Sequence, residues 1–402
     1  MTKANDGPLT GVRVIDLTSV LLGPYAAQIL GDMGADVIKV EGPEGDTTRD
    51  LGPRRSPGMA AVYLNANRNK RALGIDLKSS DGRSAFLKLV ETADVLLHNM
   101  RPSAIKRLRL TYDDIRAVNP NIVYCGAFGF SQKGPYANKP AYDDMIQGVS
   151  GLAATQSKLM GRPGYMPTVI ADKATALTAV YALTMALFHR ERTGEGQEVN
   201  VPMFETMVQF HMLEHLYGGN FDPPLGPIGY PRAISPNRHP YETKDGMIGV
   251  LPYVDKQWRA FFEMAGRPEL MEDPRFSNIE ARLDNIDAVY EVLSDIIKTR
   301  TSAEWLADLD AASIPAVPIN GPEDLLEDEH LKATGFWQTM EHPTEGRLTY
   351  PAIHTEFSAS PGRVRRHAPR LGEHNREIMK EIGLSDTEID SMVSSGILCS
   401  KP

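Results

Sequence analysis

Asp172 is the residue of this 402-residue sequence whose type and setting could do chemistry. It stands at the entrance of a run, residues 174–188, built only of Ala, Leu, Val, Met, Tyr, Phe and Thr. Such a run has no polar face at helical spacing, and a helix apolar all round is expected inside a large domain. It is too short for a membrane span, which needs about 20 apolar residues. An aspartate in this position has two uses. As an N-cap, its carboxylate accepts hydrogen bonds from the free N–H groups of the first turn. The same amides and the helix dipole would hold it ionised, and an ionised carboxylate in a dry cleft is a nucleophile.

Two groups of cations could serve an anionic ligand. One is Arg68, Lys70 and Arg71; the other is Arg101, Lys106, Arg107 and Arg109. The whole chain carries a net charge of −9, so nucleic-acid binding is a poor reading of the protein. Local cations in an acidic chain point instead to a small ligand, above all one with phosphates. The first loop, Thr18-Ser-Val-Leu-Leu-Gly-Pro24, lacks the G-x-G-x-x-G of dinucleotide binders, and no Walker A motif occurs. NAD and ATP are therefore not expected. Two cysteines, Cys125 and Cys399, are too few for a disulfide framework or a zinc site. Residues 1–9 show no apolar signal stretch, and the expected setting is cytoplasmic.

The elements that must position these residues read as alternating strands and helices. Residues 12–17 form an apolar run, 25–33 a helical one, and 36–41 a second strand. The pattern continues with a strand at 72–77, a helix at 81–91, and strands at 94–97 and 122–125. This alternation predicts an α/β, Rossmann-like large domain with a parallel sheet covered on both faces. Ligands of such sheets sit at the carboxyl ends of strands, so the loops starting at Thr18, His98 and Gly126 are the candidate walls.

After Met203 the pattern changes. Residues 218–231 are dense in Gly and Pro and read as a linker. A smaller α+β domain is expected over 232–325, with a hairpin turn at Asp245-Gly246 and a capping box at Thr301-Ser-Ala-Glu304. Residues 314–319 must be extended because of their prolines. A return linker at 326–337 leads to a tail, 338–402, which rejoins the large domain of residues 1–217 and carries a second capping box, Ser385-Asp-Thr-Glu388.

Taken together, several blocks resemble the class III CoA-transferase family, which also contains carnitine CoA-transferases, formyl-CoA:oxalate CoA-transferases and α-methylacyl-CoA racemases. They are Gly11-Val-Arg-Val-Ile-Asp-Leu17 with Gly23-Pro24, Gly34-Ala-Asp-Val-Ile-Lys-Val-Glu41, and Asn67-Arg-Asn-Lys-Arg71 with Asp76-Leu-Lys78. Further along stand Asn99-Met-Arg-Pro102, Tyr142-Asp143 with Gln147 and Ser150-Gly151, Arg192-Thr-Gly-Glu-Gly-Gln197, and Leu371-Gly-Glu-His374. The resemblance spans nearly the whole chain and makes Asp172 the catalytic aspartate. It implies attack of Asp172 on an acyl-CoA thioester, a mixed aspartyl–acyl anhydride, and then an aspartyl-CoA thioester that an incoming acid reverses. By the same resemblance the CoA-binding positions are Leu21, Leu22, Ile75, Lys78, Asn99, Met100, Arg101, Arg107, Lys139 and Tyr142.

The resemblance also implies an interlocked homodimer, no metal, and no tightly bound cofactor, with CoA and a small carboxylic acid as substrates. Racemases of the family carry a histidine in the block that corresponds to Pro140-Ala-Tyr-Asp143, where the position taken as its match is Ala141 and no histidine occurs. Moving an α-proton between faces needs two acid/base groups, so racemase chemistry is the weaker alternative, as is a silent CoA-binding protein. Formyl-CoA:oxalate enzymes carry a glycine-rich flap, and residues 237–249 hold only Gly246 and Gly249, which speaks against oxalate. Arg232, Arg238 and His239, just beyond the linker, are candidates for choosing a dicarboxylate.

Overall fold

The computed structural model describes residues 7–401; the first six residues of the polar N-terminal stretch lie outside it. The chain divides into two compact units. The first comprises residues up to Ile146, Thr168–Met207 and Glu329 onward. Six strands build it: β1 (Arg13–Leu17), β2 (Asp36–Glu41), β3 (Lys70–Gly74), β4 (Val95–His98), β5 (Val123–Phe128) and β6 (Gln197–Pro202). They form one sheet in the order β3-β2-β1-β4-β5-β6, with every pairing parallel. β6 was not anticipated from the sequence, because its alternating Glu198, Val199, Asn200 and Val201 do not read as a buried strand. It is an edge strand, and edges tolerate such alternation.

A parallel sheet must bury both faces, and the register of β1 shows how. Val14 lies beside Val37 and Val95, and this side is covered by helix α1 (Leu22–Asp32) and by the long apolar helix through Ala176, Ala179 and Leu183. Ile15, beside Ile38 and Leu96, faces the other way, against helix α2 (Ser80–Val90) through Phe86 and Leu89. The tail joins this second face. Asn375 accepts the Gly74 N–H at 2.8 Å, and Leu398 bridges to Ile75, so residues from the far end of the chain complete the β3 edge.

Buried ion pairs tie β1 to β3 and β2 to the loop that follows it. Lys70 and Asp16, both fully buried, pair at 2.9 Å, and Lys39 pairs with Asp46 at 2.9 Å. Thr18 closes on Asp16 through its hydroxyl and donates its N–H to the same carboxylate at 2.9 Å. The chain reverses between β1 and α1 in a tight loop in which Val20 takes φ +71° and a Cβ at Gly23 would lie 2.2 Å from Thr18. Only glycine fits at 23, and helix α3 (Pro102–Leu108) starts from the adjacent loop after β4.

The long apolar run forms helix α4 (Ile170–Thr193). By length and composition it is apolar enough to cross a membrane, yet Ala171, Thr175, Ala176, Ala179, Leu183 and Leu187 pack on the protein as a core helix does. The expectation of burial all round is corrected. Leu177, Tyr181, Met185 and Phe188, at helical spacing on the opposite side, are each at least 50% exposed.

The second unit comprises Gln147–Pro167 and Val208–Asp328. It therefore starts before the glycine- and proline-rich stretch and takes in a segment preceding α4. A three-stranded antiparallel sheet, Tyr241–Glu242, Met247–Val250 and Ala316–Pro318, turns at Asp245-Gly246 as the sequence indicates. Helices Asp255–Met264, Ile286–Ile297 and Ser302–Ala311 pack beside it around Trp258, Phe261, Phe262 and Trp305. The Thr301/Glu304 capping box forms, with the Thr301 N–H and Glu304 carboxylate 2.9 Å apart.

Candidate active site

The sheet reverses its order between β1 and β4, and at that point the loops after the two strands part, which is where doubly wound sheets take ligands. A cavity of about 590 Å³ opens there, walled by the loops after β1, β4 and β5, by α3 and by the start of α4. Its lining brings together Asp172, Leu22, Asn99, Met100, Arg101, Arg107, Lys139 and Tyr142, eight residues that the sequence had singled out. Leu21, Ile75 and Lys78 do not line it. Leu21 precedes α1 and accepts the Tyr25 N–H at 2.9 Å. Ile75 is fully buried, its N–H bonded to Glu41 O at 2.8 Å, and Lys78 is exposed.

Asp172 sits in the first turn of α4, two residues past its first helical position. It does not cap the helix. Val169 precedes the first turn with no side-chain bond, and the Asp172 N–H donates to Asp143 Oδ1 at 2.9 Å. Asp143, a buried residue, thus takes over the capping, and no donor among the described residues bonds the Asp172 carboxylate. The consequence reverses the expectation of a firmly ionised group. Burial, with the charge of Asp143 second, pushes Asp172 up to about 7. A half-buried carboxyl poised at neutrality, without hydrogen bonds to quiet it, is a more basic nucleophile than an exposed aspartate.

The cation groups separate cleanly. Lys70 is held by Asp16, Pro24 O and Asn67; Arg68 by Asp32; Arg71 by Asp36, Glu377 and Glu381. These three are structural, which corrects their assignment to an anionic ligand. The reason is that their carboxylate partners come from distant parts of the sequence. Arg101 and Arg107, in contrast, are exposed on the cavity wall, and neither meets a carboxylate among the described residues. Lys139 lies 3.7 Å over the Tyr136 ring, which leaves its ammonium beside the cavity.

Asn99 has a role that its type did not disclose. Its amide clamps Ser19 from both sides, accepting the N–H at 3.0 Å and donating to the carbonyl at 2.8 Å. It therefore straps the β1 loop to the β4 loop and shapes the mouth of the cavity. His98 beneath it is fully buried against Tyr124 and Phe128. Its Nδ1 accepts the Met100 N–H at 3.3 Å, and burial pulls it down to about 4, so it stays neutral. Sequence reasoning assigned no role to Asp143, Ser19 or His98; the acid pair Asp143-Asp144 at a helix start was the available signal for the first. Ala141 also lines the cavity. Among the described residues no cluster of His, Cys, Asp and Glu is set to hold a metal.

Comparison with known proteins identifies the family. Residues 9–375 match the model of CoA-transferase family III. A succinate–glutarate CoA-transferase of Agrobacterium fabrum is 34% identical over 93% of this chain and 96% of its own length. A formyl-CoA:oxalate CoA-transferase of Streptomyces avermitilis is 34% identical over 99% and 100%. A CAIB/BAIF family protein from Brucella suis superposes with a TM-score of 0.77 at 32% identity, covering 94% of this chain and all of that one. On this match across nearly its whole length, the chain belongs to CoA-transferase family III and is an acyl-CoA:carboxylate CoA-transferase.

Proposed function

We propose that the chain exchanges CoA between small dicarboxylic acids, through covalent intermediates on Asp172, as a homodimer. The observation that carries the reading is Asp172 itself, a carboxylate to which no donor among the described residues bonds, on the wall of a cavity with Arg101, Arg107 and Lys139. The Asp172 carboxylate attacks the thioester carbonyl, forming an aspartyl–acyl anhydride and expelling CoA thiolate. The thiolate then attacks the aspartyl carbonyl, releasing the first acid and leaving an aspartyl-CoA thioester. The second acid, as its carboxylate, attacks that thioester carbonyl, forming a second aspartyl–acyl anhydride and expelling CoA thiolate, which then attacks the new acyl carbonyl to give the product acyl-CoA and free the Asp172 carboxylate. No net proton is consumed. Each step is an acyl transfer between similar leaving groups, so one difficult exchange becomes several easier ones.

Arg101, Arg107 and Lys139 suit the phosphates of CoA, which enters as a substrate. Relatives named for succinate, glutarate and oxalate support a dicarboxylic acid as the class exchanged. The exposed apolar side of α4 supports a partner, since a contiguous apolar face of this kind marks an interface.

Trapping tests the covalent steps. Incubation with succinyl-CoA followed by hydroxylamine should place a hydroxamate on the peptide containing Asp172. Asp172→Asn should give no adduct and lose turnover by at least roughly 10³-fold, the scale on which removal of a covalent nucleophile reads. An adduct on another residue, or full turnover in the variant, would sink the assignment.

A further inference from the structure

The second unit holds a cavity of its own, about 480 Å³, that shares no lining residue with the cavity at Asp172. Its lining contains Arg232 and Arg238, two buried tyrosines, Tyr241 and Tyr290, and an apolar wall that includes Val250 and Val317. No Asp or Glu lines it. Two guanidinium groups in one cavity repel each other, and such a pair ordinarily carries a carboxylate for each. The acids nearby are engaged elsewhere. Asp287 accepts the Ser235 hydroxyl at 2.5 Å, and Glu291 accepts the Asn237 amide at 3.3 Å. Neither Arg232 nor Arg238 meets a carboxylate among the described residues.

We infer that this cavity is a binding site for a small dicarboxylic acid, with Arg232 and Arg238 taking its carboxylate groups and the apolar wall taking the methylenes between them. The inference rests on the dicarboxylate-transferase reading above, and it assigns acid selection to residues of the second unit. A planar guanidinium binds a carboxylate through two parallel hydrogen bonds, and Arg232, although bonded to the Tyr290 hydroxyl, has no carboxylate partner among the described residues. The tyrosines contribute donors. Burial pushes both phenols up, so they keep their protons, with Arg232 drawing Tyr290 partly back. The volume holds a four- to six-carbon diacid with accompanying water, and the aliphatic wall suits a methylene chain better than a sugar or a nucleobase.

The alternative occupant is a phosphate group of CoA. The test uses the full-length protein and three probes by calorimetry: succinate, butyrate, and adenosine 3′,5′-bisphosphate. Succinate should bind the wild type, butyrate at least about tenfold more weakly, and the bisphosphate should not compete with succinate. Arg238→Met, at an exposed position that leaves the core intact, should weaken succinate at least about tenfold. Arg232→Lys keeps the charge while losing the fork and should weaken it as well. Competition by the bisphosphate, or unchanged succinate affinity in both arginine variants, overturns the inference.

Kinetics separate this result from the transfer reading. If Asp172 forms its adduct but Arg238→Met uses succinate and butyrate in the wild-type ratio, the transferase stands and the acid site falls. If no adduct forms with any donor, the transfer steps fall while calorimetry still decides the site.

Discussion

At the scale of a residue, the decisive pairing is Asp172 with Asp143. Asp143 gives the helix start its capping acceptor and sets a negative charge beside the proposed nucleophile. The two effects act on different observables. Capping stabilises the first turn, while the charge, together with burial, raises the proton affinity of Asp172. Only the ionised form attacks in this reading, so the rate of adduct formation should climb with pH through a midpoint near pH 7 and level off above it. Asp143→Asn keeps an acceptor oxygen and removes the charge, so the climb should shift to lower pH; an unmoved midpoint in a stopped-flow pH series would reject the coupling. Stability carries the opposite sign. The folded state holds a proton on Asp172 that the unfolded chain releases near pH 4, so the burden is absent below that pH and grows until about pH 7. Asp172→Asn is spared it, and its advantage in thermal stability should appear over that window and reach up to about 4 kcal/mol above it.

At the scale of an element, cations of one type divide into two functions, and their loss should show it. Lys70 is buried with Asp16, and truncating one partner of a buried pair costs roughly 3–5 kcal/mol. Lys70→Met should therefore lower the melting temperature markedly. Arg107→Ala should leave melting within a degree or two, because the side chain is exposed and without a carboxylate, and should instead raise KM for acyl-CoA by roughly tenfold. Equal melting losses in the two variants would contradict the division. The sequence could not draw it. Arg71 is neutralised by Glu377 and Glu381, more than 300 positions away, and periodicity says nothing about which distant carboxylates return. The strands were legible for the opposite reason, since a parallel strand buried on both faces is a local apolar run. β6 hid because an edge strand is not such a run. Asp172 was legible as a charged residue against an apolar helix, but its protonation was not, because that depends first on its burial in the fold and then on Asp143 arriving from another element.

At the scale of the whole molecule, the apolar face of α4 needs an account. Leu177, Tyr181, Met185 and Phe188 form one stripe of a 24-residue helix, and the other side of that helix is already buried in the first unit. In the second unit Leu213, Leu225 and Ile228 are each more than 60% exposed as well. Leaving large apolar groups in water forgoes on the order of 1.5–3 kcal/mol for each, so the proposed homodimer is the natural cover. Sedimentation should find a species of twice the 44.3 kDa chain mass, and Met185→Glu with Phe188→Glu should deplete it or leave the chain insoluble. An interlocked pair makes a stronger demand than an ordinary dimer. Two surfaces that merely dock obey mass action, separate on dilution, and exchange subunits. Two chains threaded through each other can part only by unfolding, so their exchange is governed by the unfolding barrier and not by affinity. Tagged and untagged protein mixed at nanomolar concentration should form no hybrids over days, then form them after a cycle of denaturation and refolding. Hybrids appearing without denaturant would leave a dimer but remove the threading; a wild-type monomer would remove both.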